Sequence, residues 1–158
     1  MAQLQSISPC MWFNGQAEEA AQFYTAVFPD SRLLETVRWP DIGMAPAGSV
    51  LTVRFLLAGQ EFIGLNGGPQ FSFNEAVSLS IRCQTQAEVD HYWSRLGESG
   101  SFSRCGWLKD RYGVSWQVVP TVLVDLLAGP DAARAARVMQ LMMGMGKLEI
   151  APLLQAAA

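Results

Sequence analysis

Hydroxyl, thiol, amide and guanidinium side chains stand two residues apart along several stretches of this chain, and the spacing decides what they can do together. In CGWLKDRYGVSWQVVP, Cys105 to Pro120, the run after the Asp110-Arg111-Tyr112-Gly113 turn reads as a strand that stops at a proline. Ser115, Gln117 and Val119 then share one face, and Val114, Trp116 and Val118 the other. Ser78, Ser80 and Arg82 alternate in the same way with Val77, Leu79, Ile81 and Cys83. A third set is Ser8, Cys10 and Trp12. Serines, a thiol, an indole, an amide and a guanidinium can orient a polar or anionic small molecule, since a pocket needs few convergent polar groups. Asn66, within Asn-Gly-Gly-Pro, and Trp107 join them as candidate ligand contacts.

Proton transfer is poorly provided for. Glu75, in Phe-Asn-Glu, is the best acid/base candidate and the one carboxylate expected at a pocket rim. Cys10 has no histidine placed to lower its pKa, so it reads as an inert thiol. His91, the only histidine, falls mid-helix and reads as a surface or packing residue.

The elements that must position these residues come in two copies. Gln-Ala-Glu occurs at 16–18 and again at 86–88, an offset of 70, which also pairs Ser8 with Ser78, Met11 with Ile81 and Phe23 with Trp93. In each copy an alternating segment leads into an amphipathic helix, expected over 16–28 and 86–96 with Asn14 and Thr85 as caps. Their apolar stripes are Ala20, Phe23, Tyr24 and Val27, and Val89, Tyr92, Trp93 and Leu96. Strands are expected at Leu33–Trp39, Ser49–Leu57 and Glu61–Asn66, the last two joined as a hairpin through Ala58-Gly59-Gln60. The second copy reads as irregular over 99–108 and then as a strand over 114–119. A tail from Pro130 to Met143 reads as one helix.

Composition narrows the partners. At 158 residues one domain is the default, and a net charge of −3 with no Lys/Arg cluster argues against nucleic acid and against an anionic membrane surface. No apolar run approaches the ~20 residues that cross a bilayer. The N-terminus lacks a basic region followed by an apolar one, so a cytoplasmic location is expected. Cys10, Cys83 and Cys105 are too few and scattered for a disulfide framework or a zinc site.

Phe-Tyr-Thr-Ala-Val-Phe at 23–28, Asn-Gly-Gly-Pro with Phe-Asn-Glu at 66–75, and Cys-Gly-Trp-Leu-Lys-Asp through Gln-Val-Val-Pro at 105–120 resemble the vicinal oxygen chelate superfamily. That superfamily includes glyoxalase I, bleomycin-resistance proteins and extradiol dioxygenases. Within it the chain is most similar to PhnB-like proteins, often labelled 3-demethylubiquinone-9 3-methyltransferase. The resemblance implies an α+β fold: two βαβββ modules, about 5–66 and 76–120, with curved mixed sheets around a cavity; the residues after them, 121–158, read as a C-terminal helical tail. It also implies a homodimer.

Metal-dependent members place two ligands on each module. Matched by the following helix, those positions fall at Ser8 or Pro9, near Ile63 or Gly64, at Ser78 or Leu79, and at Gln117. Hard cations want carboxylate oxygen and softer ones imidazole or thiolate, so no metal and no cofactor is expected. A Rossmann-type S-adenosylmethionine site needs a glycine-rich turn that opens a helix, and Asn-Gly-Gly-Pro precedes no helical pattern. The expected function is binding of a small organic molecule, for sequestration or for metal-free catalysis. A metal-dependent lyase, isomerase or dioxygenase and a methyltransferase are the alternatives. The stripe Val138, Leu141, Met142, Met145 and Leu148 is expected either to cover a dimer interface or to fold back on its own sheet.

Overall fold

The computed structural model describes residues 5–158 and divides between Ser72 and Phe73 into two compact units. Residues 1–4, part of the stretch read for a leader, lie outside the described residues. No described helix is long and apolar enough to cross a membrane.

The first unit runs β1 (Cys10–Phe13), α1 (Ala17–Val27), β2 (Arg32–Arg38), β3 (Val50–Leu57) and β4 (Gln60–Asn66). Its sheet has the order β1-β4-β3-β2, with β1 and β4 parallel and the other pairs antiparallel. The parallel pair requires a crossover, and α1 lies within it. Met11 and Phe13 of β1 are buried with Ala17, Ala20, Ala21 and Tyr24 of α1 and with Val53 and Phe55 of β3. The alanines let the helix approach closely: a Cβ added at Gly64 of β4 would stand 3.2 Å from that of Ala17. Tyr24 stacks on Phe55 and Phe55 on Phe62, with centroids 6.2 and 5.7 Å apart. Ala58 and Gly59 have φ of 47° and 84°, the left-handed pair that a two-residue hairpin turn requires.

Asn14 does not cap α1. Gln16 stands at that position with no side-chain bond, and the free amide of Ala17 instead donates to Asn66 Oδ1 at 2.9 Å. A residue from β4 thus does what a local cap usually does.

The second unit repeats the pattern as β5 (Ser78–Cys83), α2 (Gln86–Gly97), β6 (Ser101–Phe102), β7 (Trp107–Lys109) and β8 (Ser115–Pro120), in the sheet order β5-β8-β7-β6. Thr85 caps α2 as expected, accepting from Glu88 N at 3.2 Å. The 99–108 segment is not irregular throughout, since it carries β6 and most of β7; at two and three residues, both are too short to show a period. Gly97 closes α2 rather than following it, and a Cβ there would collide with the Phe102 ring. The duplication is exact in ladder register: Cys10 faces Ile63 on β4 as Ser80, 70 residues later, faces Gln117 on β8.

The tail holds three helices where one is expected: α3 (Thr121–Ala128), α4 (Ala132–Met143) and α5 (Ile150–Ala157). Leu123, Val138, Leu148 and Leu153 are buried together, with Met142, Met145 and Val119 of β8 packed against them. Val138 and Leu148 are fully buried within this unit, so most of the stripe folds back on its own bundle and sheet; Leu141 stays 37% exposed.

Candidate functional site

Ladder register places side chains in rows across the second sheet. Ser101, Lys109, Ser115 and Ser78 stand opposite one another, from β6, β7, β8 and β5. Trp107, Gln117 and Ser80 form the next row. Directly opposed residues share a face, so hydroxyls, an ammonium, an amide and an indole line one surface. The other surface is apolar: Val114, Trp116 and Val118 are buried, as the alternation requires. Trp116 Nε1 donates to Asp110 Oδ2 at 2.8 Å, and Asp110 Oδ1 accepts from the amides of Tyr112 and Val114.

A cavity of about 420 Å³ opens over the polar rows. Glu75, Ser101, Arg104, Cys105, Trp107, Lys109 and Ser115 all line it. Ser115 is 1% exposed, and its Oγ is buried with no hydrogen-bond partner. A buried hydroxyl normally finds one, so this atom marks a gap in the polar network. Gln117 Nε2 donates to Ser78 Oγ at 2.9 Å, which leaves the Ser78 hydrogen free to donate elsewhere. Glu75 pairs with Lys109, and the ammonium holds its carboxyl below the usual range. Glu75 is therefore a fixed anion at neutral pH, poorly suited to deliver a proton.

The first sheet carries the matching face. Ser8 Oγ donates to Glu61 Oε1 at 2.9 Å, while Arg54 bonds Glu61 Oε2 at 2.9 Å and Glu35 Oε2 at 3.0 Å. Glu61 is 6% exposed, and Arg54 first, then Ser8, hold its carboxyl below the ordinary value. Cys10 is on this sheet, with its thiol pushed up by desolvation, the opposite of what a nucleophile needs. Trp12 is engaged by its own loop: Nε1 donates to Gly68 O at 2.9 Å, and Phe71 meets its ring edge-on. Asn66 is committed at both ends, to Ala17 and to Val50 O, although it also borders a second hollow of about 370 Å³. Ser80 and Arg82 are exposed, and His91 lies on the surface of α2.

Of the residues expected from sequence, the cavity gathers Glu75, Trp107 and Ser115. Ser78 and Gln117 stand beside Ser115 and Trp107 in the same rows, while Ser8, Cys10, Trp12 and Asn66 belong to the first unit. Sequence reading missed Lys109, Ser101 and Arg104, and also Glu61 with Arg54. Trp107 and Lys109 flank buried Leu108, but a strand of three residues is too short for that alternation to stand out in the sequence.

The family model described as 3-demethylubiquinone-9 3-methyltransferase matches residues 5–119, well over half the chain. The chain belongs to this family. A PhnB protein from Bacillus cereus with the same family description is 34% identical, over 74% of this chain and 100% of that one, with a TM-score of 0.68. A Pseudomonas aeruginosa protein is 23% identical over 75% of this chain and 98% of its own, at a TM-score of 0.61. The fosfomycin resistance protein FosX of Mesorhizobium loti shares the fold at 15% identity and a TM-score of 0.50, over 73% and 89% of the two chains. No curated protein matches. The family match ends before α3, so the helical tail lies beyond it.

Neither group suggested by the family fits these residues. The positions implied for a metal hold Ser8 or Pro9, Ile63 or Gly64, Ser78 or Leu79, and a Gln117 whose amide nitrogen is bonded to Ser78. No cluster of three His, Cys, Asp or Glu exists among the described residues. The Gly67-Gly68 pair follows β4 but opens no helix. A Cβ at Gly67 would enter the Trp12 ring, so this glycine makes room for an indole and does not form a nucleotide cradle.

Proposed function

We propose that this member of the family binds a small organic molecule on the polar face of its second sheet, without a resident metal. The observation that carries the reading is the cavity of about 420 Å³ whose wall includes the buried, unpartnered Ser115 hydroxyl. That volume lies within the range of small-molecule sites, and an apolar wall with a few convergent polar groups is their usual composition. The site binds and orients; its carboxylate is paired and its face holds no imidazole, so any reaction would draw on groups of the bound molecule itself.

A homodimer and a cytoplasmic location remain part of this proposal, although the buried Val138 and Leu148 no longer argue for the dimer. Native mass spectrometry of freshly purified protein should show a co-purifying small molecule, or uptake of one from a mixed collection of acids, neutrals and amines. Metal analysis without chelator should find less than one equivalent. Stoichiometric zinc, nickel, manganese or iron would overturn the metal-free reading, and a raised melting midpoint with S-adenosylmethionine would favour methyl transfer instead.

A further inference from the structure

The two modules are copies, so the first serves as a template for what the second lacks. Ser8 corresponds to Ser78 by the 70-residue offset, and the shared ladder register makes Glu61 of β4 the counterpart of Ser115 of β8. In the first unit that position carries a carboxylate, gripped by the Ser8 hydroxyl on one oxygen and by the Arg54 guanidinium on the other. In the second unit the same position carries only a hydroxyl. The serine partner is kept as Ser78; Trp107 stands at the ladder position of Arg54, and a cation is supplied instead by Lys109, at the position of Leu56 and directly opposite Ser115, where the cavity opens.

We infer that this gap is a carboxylate-binding site: a ligand carboxylate accepts from Ser78 and Ser115 and pairs with Lys109, restoring from outside the arrangement that Glu61 makes from within. The inference rests on the proposed function and names its ligand class. The Ser115 hydroxyl, buried without a partner, gains one. Ser78 donates the hydrogen that its bond from Gln117 leaves free. Lys109 is held meanwhile by Glu75, an exposed side chain on the segment before β5, which acts as a displaceable placeholder. The indole of Trp107 and the rim side chain of Arg104 line the same cavity, so a planar organic acid fits better than a bare inorganic ion.

Benzoate tests the class, with benzamide as its neutral isostere and methylphosphonate as the tetrahedral anion, each followed by NMR shifts of the Trp107 indole and the Ser115 amide. Benzoate should bind at least about tenfold more tightly than either, the difference expected of a charge-assisted contact. Ser115→Ala and Lys109→Met should each weaken benzoate by about tenfold, and Glu75→Gln should tighten it several-fold by freeing Lys109. The decisive variant is Ser115→Glu. A carboxylate at a buried site ordinarily destabilises severely; here it should fold with a midpoint near the parent's and lose benzoate binding, because it supplies the missing group.

Equal binding of benzoate and benzamide, or benzoate binding that survives Ser115→Glu, would overturn the carboxylate class while leaving a small-molecule site. Preference for methylphosphonate would overturn it in favour of a tetrahedral oxyanion. No benzoate response up to ~10 mM would also overturn it, and the native mass spectrum then judges the wider reading separately.

Discussion

Replacing Trp116 separates the two faces of β8 more sharply than any other change. Its ring is 2% exposed, and its Nε1 donates at 2.8 Å to Asp110, itself 3% exposed. Trp116→Ala should cost about 3–5 kcal/mol as a buried aromatic truncation, plus about 1–3 kcal/mol for the lost indole–carboxylate hydrogen bond. Against a usual total of about 5–15 kcal/mol, that leaves the variant close to unfolding. Trp116→Phe isolates the polar part: it keeps most of the ring and removes the N–H, for about 2 kcal/mol, or a midpoint lowered by about 4–8 °C at this chain length. Asp110→Asn probes the same bond from the other end. Three donors, the amides of Tyr112 and Val114 and the indole, converge on Asp110, and an asparagine offers a single acceptor oxygen. One donor must lose its partner, so Trp116→Phe should cost less in the Asp110→Asn background than alone. Gln117→Ala, on the opposite face and bonded only to part-exposed Ser78, should stay within about 1 kcal/mol of the parent. Urea denaturation followed by near-ultraviolet circular dichroism measures all five variants, the double one included. A neutral Trp116→Phe together with a Gln117→Ala that destabilises by more than about 2 kcal/mol would show that the faces are assigned backwards.

Three further outcomes follow from the packing. Arg54 and Ser8 depress the Glu61 carboxyl, so its contribution to stability is present above the unfolded value of 4.5 and lost as pH falls through the folded one; Glu61→Gln should make the acid limb of the stability–pH curve shallower, and an unchanged limb would remove Glu61 from that role. Gly106→Ala places a Cβ 2.6 Å from the Val118 carbonyl oxygen at a φ of +79°, where neither backbone can yield; it should cost about 2–4 kcal/mol, with faster hydrogen exchange at Cys105 and Gly106, whose amides donate to Met145 and Gly146. Truncation after Pro130 removes Val138, Leu148 and Leu153 from Leu123, and calorimetry should show a lower midpoint accompanied by binding of a hydrophobic dye; an unchanged midpoint would mean the bundle adds nothing to the second unit.

What the sequence made legible follows from period and length. The β1, β5 and β8 faces were readable because a half-buried strand of four to six residues shows its alternation directly, and the 70-residue offset carried the reading from one copy to the other. Strands of two and three residues show no such alternation, which is why β6 and β7 passed as loop and Lys109 went unnoticed. The tail failed for two reasons. α3, Thr-Val-Leu-Val-Asp-Leu-Leu-Ala, is short and too apolar for a clear stripe, whereas α5 carries Pro152, which a first helical turn tolerates but a pattern search treats as a stop. Asn66 looked like a ligand contact because its task, capping a helix that begins 49 residues earlier, exists only in three dimensions.

The same limit explains why Glu61 and Ser115 carried no signal as a pair. Neither residue is unusual in its own strand, and 54 positions separate them, an offset different from the 70 that relates the helices, because the segments between helix and last strand differ in length. Only the ladders align them, through Ser8 and Ser78. Once aligned, the contrast is chemical: one copy closes its polar network with its own carboxylate, and the other stops one group short beside a cavity. A duplicated fold can spare one copy of a network for packing and open the other, because each module has its own apolar face to hold it together. A ligand site in this chain is therefore best sought where the copies differ by a missing charged group, and among the paired positions of β4 and β8, Ser115 meets that condition with its hydroxyl unsatisfied.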